Sequence, residues 1–180
     1  MPIKSLIRTI AHYPREGIMF RDITTLLKDP TGLRTTIDQI TERYRSEKIN
    51  KVIGIESRGF IIAAPVAYAL GAGFVPVRKP GKLPADTIGC DYQLEYGRDR
   101  IEIHVDAIAK NDRVLLIDDL IATGGTMEAA IKLIEKMDGI VVECCLVVDL
   151  PTIGGSKRLR QQGYKLFSLC RYDDQEAVRE

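Results

Sequence analysis

Histidine is almost missing and cysteine is sparse. The 180 residues hold two histidines, His12 and His104, and four cysteines, Cys90, Cys144, Cys145 and Cys170. No Cys-x-x-Cys pair occurs and the histidines stand apart, which removes zinc-ligand spacing. Excess charge is lacking too. Lys plus Arg total 26 and Asp plus Glu 25, a net charge of +1. Duplex-binding proteins usually carry a clear basic surplus, so nucleic acid is set aside as a partner. Internal repeats and low-complexity segments are missing. Lys4 and Arg8 interrupt the short apolar stretch at the start, which does not read as a secretory signal. The longest uncharged run, Gly59 to Val77, has 19 residues but contains Pro65, Pro76 and three glycines. It reads as a helix, a turn and a strand, and no membrane association is expected.

What is present is an ordinary globular composition, 45% apolar and 28% charged, at a length that suits one domain over 1–180. Adjacent Cys144 and Cys145 would face opposite sides of a strand as buried free thiols, which points to a reducing cytoplasm. Ser5 to Ala11 reads as a short helix, and Tyr13 to Gly17 as a turn. Leu33, Ile37, Ile40 and Tyr44 recur at helical spacing after the Asp29-Pro30 break. Lys51 to Ile55 (KVIGI) reads as a buried strand, Ile61 to Leu70 as a helix and Phe74 to Val77 as a strand. Between Arg78 and Asp99 periodicity fades among prolines, glycines and charges, which suggests either a disordered segment or a functional lid. Ile101 to Val105 alternates. Val114 to Ile117 (VLLI) is wholly apolar, as in a parallel strand covered on both faces. A helix over Met127 to Met137 and strands over Ile140 to Val148 and Lys165 to Leu169 complete an α/β order.

Ligands of such folds sit beyond the carboxyl ends of the strands. After Ile117 comes Asp118-Asp119-Leu120-Ile121-Ala122-Thr123-Gly124-Gly125-Thr126, leading into a helix. Glycines admit a close ligand, and free N–H groups at a helix start attract phosphate. The two carboxylates can accept from vicinal ribose hydroxyls or meet a hydrated Mg²⁺. Phosphate donors beside sugar acceptors suggest a ribose phosphate. No GxxxxGK[ST] pattern occurs, so this is not a P-loop.

The segment Val114 to Thr126 resembles the phosphoribosyl-diphosphate (PRPP) signature of the type I phosphoribosyltransferases. Tyr13 to Pro30, Glu56 to Phe60, Arg78 to Pro84 and Leu94 to Gly97 resemble the adenine phosphoribosyltransferase branch of that family. Glu16 departs from the proline usual before Gly17. The resemblance implies a mainly parallel central sheet flanked by helices. It also implies a small N-terminal hood over about 1–32 and a flexible lid over about 79–99. It implies transfer of phosphoribose from PRPP to adenine, giving AMP and pyrophosphate, in a cytoplasmic homodimer. Mg²⁺ would accompany PRPP, held mainly through PRPP and water.

By resemblance, Ala122, Thr123, Gly124, Gly125 and Thr126 hold the 5′-phosphate. Asp118 and Asp119 engage the ribose, and Arg58, beside Ser57, meets the pyrophosphate. Arg78, Lys79 and Lys82 offset the charge of the leaving group. Phe20 stacks on adenine, with backbone groups of Ile18 and Arg21 reading its edge. Glu95 takes the N9 proton. The family often has a non-proline cis peptide at the position of Glu56-Ser57. His104 reads as structural. The alternatives are a guanine- or xanthine-type enzyme, a PRPP-sensing DNA-binding regulator, and an inactive relative kept for interactions.

Overall fold

The computed structural model describes residues 3–94 and 97–173. Five parallel strands form its central sheet: β3 (Lys51–Ile55), β4 (Gly73–Val77), β7 (Arg113–Ile121), β8 (Ile140–Asp149) and β9 (Leu166–Arg171). Their order is β4-β3-β7-β8-β9, which puts β7 in the middle. Two antiparallel pairs lie outside it. One joins β1 (Arg8–Ala11) to β2 (Met19–Asp22), and the other joins β5 (Thr87–Leu94) to β6 (Gly97–His104). The helices are α1 (Thr24–Lys28), α2 (Pro30–Tyr44), α3 (Arg58–Leu70), α4 (Gly125–Lys136) and α5 (Gly155–Gln161).

The all-apolar run of β7 has a direct physical cause. Val114 and Leu116 face a core built with Met127, Ala130, Ile131 and Ile134 of α4. Leu115 and Ile117 face a second core with Ile40 and Tyr44 of α2 and Ile62 and Val66 of α3. Side chains of a strand alternate between faces, so a strand buried on both sides carries no polar residue there. Cys144 and Cys145 of β8 divide between the same two cores, and all four cysteines are free thiols. The expected α2 forms, started by Asp29, whose carboxylate accepts from the Gly32 N–H at 2.6 Å, with Pro30 in the first turn. At its far end Glu143 of β8 accepts two hydrogen bonds from Arg43, at 3.0 and 3.1 Å, and one from the Tyr44 hydroxyl at 2.7 Å.

Three local expectations change. Ser5 to Ala11 is not a helix: a 3-10 turn over Ile3–Leu6 leads into β1. Strand β2 supplies the partner, with Arg8 opposite Asp22 and Ala11 opposite Met19, and this long-range pairing outweighs the local pattern. The span from Arg78 to Asp99, which reads as aperiodic, contains β5 and the start of β6. Gly89 and Asp91 hide the strand, and its register with β6, Thr87 opposite His104 and Tyr92 opposite Asp99, is set by pairing. Strand β7 runs four residues past Ile117, so Asp118 and Asp119 lie on the strand itself. Among the described residues no helix is long and apolar enough to cross a membrane.

Candidate functional site

A cavity of about 370 Å³ opens at the carboxyl ends of β3, β4 and β7. It brings together Ser57, Arg58, Lys79, Asp118, Asp119 and Thr126, six residues singled out from the sequence. Three strand ends converge there because parallel strands all finish on one edge of the sheet.

Arg58 opens α3 and its Nε donates to Asp119 Oδ2. The approach is close because Gly59 follows. A methyl group there would stand 3.0 Å from the Ile117 carbonyl oxygen and 3.1 Å from Asp118 Oδ1. Asp118 and Asp119 point to opposite sides of the strand. The Asp119 N–H donates to Asp118 Oδ1 at 2.8 Å. Burial pushes the Asp118 carboxyl well above the ordinary carboxylate range, and the neighbouring charge of Asp119 pushes it further. The pair is thus one carboxylate neutralised by arginine and one that resists ionisation.

The turn from Ala122 to Thr126 leads into α4. Gly124 caps the helix at φ 79°, a left-handed conformation that favours glycine, and no side chain caps the helix start. Gly125 lies against β5, where an added Cβ would meet the Gln93 carbonyl oxygen at 2.9 Å. Thr126, in the first turn of α4, lines the cavity, while Ala122, Thr123, Gly124 and Gly125 are not among its lining residues.

Lys79 also lines the cavity, and its Nζ donates to the Tyr92 hydroxyl at 3.1 Å and to Asp99 Oδ2. Arg78 is not among the cavity-lining residues but forks onto Glu56, which is, with both bonds at 3.3 Å, while Glu56 Oε2 accepts the Lys79 N–H at 2.8 Å. Burial raises the Glu56 carboxyl, but these bonds outweigh it and leave it below its ordinary value. Lys82 is exposed, and its carbonyl accepts from Arg78 at 3.2 Å. The Glu56–Ser57 peptide bond is cis.

Phe20, on β2, is half-buried and outside both cores. Its ring lies 5.8 Å from the Arg58 guanidinium carbon and makes an edge contact with Tyr13 at 5.2 Å. The Ile18 N–H and C=O are both used inside its turn, by Arg15 and Tyr13 at 3.2 Å each. The carbonyl keeps a second lone pair for a ligand. The Arg21 side chain is buried, packed on the Tyr172 ring at 4.1 Å and bonded to Thr9, so only its backbone remains for a ligand. Glu95 lies outside the described residues. His104 Nε2 accepts from Ala85 at 3.4 Å, a structural contact. The roles of Glu56, Tyr92 and Asp99 around Lys79 do not follow from the sequence pattern. Glu56 follows the KVIGI strand directly and was open to discovery on that ground, whereas Tyr92 and Asp99 meet Lys79 only through the register of β5 with β6.

The family model described as phosphoribosyl transferase domain matches residues 22–179. The adenine phosphoribosyltransferase of Nitrosomonas europaea is 79% identical over 174 residues, covering 97% of this chain and all of that protein. The chain belongs to the adenine phosphoribosyltransferase family. Among solved members, the crystal structure of the Thermoanaerobacter pseudethanolicus adenine phosphoribosyltransferase has a TM-score of 0.90 at 45% identity, covering 94% of this chain and 98% of that one. The Saccharomyces cerevisiae adenine phosphoribosyltransferase, complexed with an imino-altritol bisphosphate and adenine, has a TM-score of 0.87 at 36% identity, covering 93% and 96%.

In this member of the phosphoribosyltransferases, the raised Asp118 carboxyl carries a stability consequence. A carboxyl raised in the folded state binds protons more readily there, so the charged form costs stability above the raised value. The cost vanishes below the unfolded value near 3.8. Asp118→Asn is therefore expected to raise Tm at pH 7, with the gain shrinking towards zero as pH falls to about 4. Thermal unfolding across that range checks it, and a lower Tm at pH 7 would refute the like-charge account.

Proposed function

We propose that this chain transfers phosphoribose from PRPP to N9 of adenine, giving AMP and pyrophosphate in purine salvage. The observation that carries the reading is the cavity where an acid pair, an arginine, a lysine and Thr126 of the α4 start converge. Ala122 to Thr126 take the 5′-phosphate through N–H groups and hydroxyls. Asp118 and Asp119 accept from the ribose hydroxyls, and their charge favours the cationic sugar of the transition state. Arg58, with Ser57, and Lys79 meet the diphosphate. Arg78 and Lys82 add positive potential at its edge, Arg78 while tied to Glu56.

The bond from the ribose anomeric carbon to the diphosphate oxygen breaks, and its electron pair leaves on pyrophosphate. The bond to N9 forms, and the N9 proton passes to the Glu95 carboxylate. Phe20 stacks on adenine, and backbone groups of Ile18 and Arg21 read its edge. A 6-oxopurine would leave donors and acceptors unmatched there. The β1–β2 pair with α1 serves as a hood. The span 79–99 serves as a lid that excludes water over PRPP.

Magnesium fits this site. A divalent cation beside the acid pair would relieve the repulsion that raises the Asp118 carboxyl. The ion would be held mainly by PRPP oxygens and water, with Asp118 and Asp119 on its protein side. When bound, it supplies neutralisation of the diphosphate charge.

The reading places the enzyme in the cytoplasm, where four free thiols suit a reducing medium. It also places it in a homodimer. Ile61 and Tyr68 of α3 are exposed two turns apart, Tyr68 at 89%, with exposed Phe74 on the edge strand β4. Such an apolar face suits a second copy. Tyr68→Glu is expected to shift a sedimenting dimer towards monomer. A wild-type monomer, or an unchanged dimer in the variant, would overturn the assignment.

A base panel tests the activity: adenine, hypoxanthine, guanine and xanthine with PRPP, with and without Mg²⁺. AMP from adenine alone, lost on chelation, is expected. Turnover of a 6-oxopurine would discard the base-site assignment. Glu95→Gln is expected to lower kcat about 10²-fold. A loss under about threefold would leave Glu95 without a proton-transfer role.

A further inference from the structure

The turn Ala122 to Thr126 does not stand alone. Behind it lies the segment that follows β8. The Leu150 N–H donates to the Ile121 carbonyl at 3.1 Å, and the Gly155 N–H donates to the Ala122 carbonyl at 3.0 Å. A Cβ on Gly155 would stand 2.3 Å from the Ala122 oxygen, 2.6 Å from the Thr123 carbonyl carbon and 2.7 Å from the Gly124 nitrogen. From the other side, a Cβ on Gly124 would stand 3.2 Å from the Gly155 Cα. Two backbones touch here with no side chain between them. The atoms in the way belong to consecutive residues of one loop, so none can yield alone.

The glycine is not required by its own conformation. Gly154 is left-handed at φ 96°, but Gly155 has no such φ and is the first residue of α5. Alanine would favour that helix by its propensity. Only the space taken by the neighbouring loop excludes it. The segment is also pinned from below. Asp149, wholly buried, lies 3.7 Å from an Arg160 nitrogen on α5 and 3.6 Å from Arg171 Nε on β9. Neither of its carboxylate oxygens has a hydrogen-bond partner among the described residues. Asp149 thus stands between α5 and β9, within reach of an arginine from each.

We propose that Gly155 is a positioning residue for the phosphate-holding turn, setting the height of Ala122 to Gly124 above the 150–156 segment. The proposal rests on the reading that this turn takes the 5′-phosphate. Restoring ordinary contact distances after adding a Cβ needs a shift of about an ångström. A misplacement of that size can cost on the order of a hundredfold in function.

The experiment compares ligands that carry the 5′-phosphate with ligands that do not. In Gly155→Ala, the KM for PRPP and the Kd for AMP are expected to rise about tenfold or more. The Kd values for adenine and inorganic pyrophosphate should stay within about twofold of wild type. Gly139→Ala is the control. Its Cβ would press on Ile134 Cγ2 at 2.8 Å, at the other end of the sheet, so it should lower Tm without moving the KM for PRPP. Unchanged PRPP and AMP constants in Gly155→Ala would overturn the proposal, as would a parallel loss for adenine and pyrophosphate. If Gly155→Ala does not fold, Asp149→Asn loosens the segment without adding an atom at the contact. The same ligand-selective loss is then expected, and its absence overturns the proposal. Failure of the wild-type protein to bind AMP or ribose 5-phosphate would instead remove the reading of the turn itself.

Discussion

Strand β7 must be apolar on both faces for most of its length and yet carry two carboxylates near its carboxyl end. The rest of the site follows from that constraint. Two carboxylates at the end of a central strand repel one another and resist losing water. One of them, Asp119, is neutralised by Arg58 from the start of α3. The other, Asp118, accepts the Asp119 N–H and feels the Arg58 charge, yet burial and the Asp119 charge hold it above its ordinary ionisation range. The protein thus stores an unfavourable arrangement at the place where a cationic sugar and a divalent ion would relieve it. Arg58 reaches Asp119 only because Gly59 lets the helix start lie against the Ile117 carbonyl and Asp118.

Close backbone contact recurs around the cavity. Gly59 serves α3, Gly125 admits β5 beside the helix start of α4, and Gly155 lies against the turn Ala122 to Gly124. Each contact removes a side chain so that a main chain can sit at a defined height. Charged contacts add a second layer. Glu56 gathers Arg78 and the Lys79 N–H, and Asp99 with Tyr92 gathers the Lys79 ammonium. The cationic side of the cavity, just past β4, is therefore held by Glu56, which follows β3, and by residues of β5 and β6.

Much of this was open to reading along the chain. The VLLI run, the KVIGI run and the helical spacing of Leu33, Ile37, Ile40 and Tyr44 announce elements whose burial pattern is local. Asp118, Asp119 and the Thr-Gly-Gly-Thr turn fall within one short segment, so they stand out together before any contact is known. Strand β1 and strand β5 were not legible, because Gly89, Asp91 and the short Arg8–Ala11 stretch pair only with residues brought by other strands. The split roles of Arg78 and Lys79 were equally hidden. Adjacent cations look alike in sequence, yet one forks onto Glu56 and the other turns into the cavity.

By itself the sequence determined the order of the five central-sheet strands and of α2, α3 and α4, the two-sided burial of the central strand and the glycine-rich turn that follows it. These depend on residues within a few positions of one another, where periodicity and backbone preference act directly. Tertiary structure alone decided which carboxylate is neutralised, which lysine faces the cavity, that Arg21 is spent on Tyr172, and that Gly155 supports a turn thirty residues away. Those outcomes depend on distances between segments far apart in the chain. Such distances exist only once the sheet has set the register of its strands and the helices have closed on both faces.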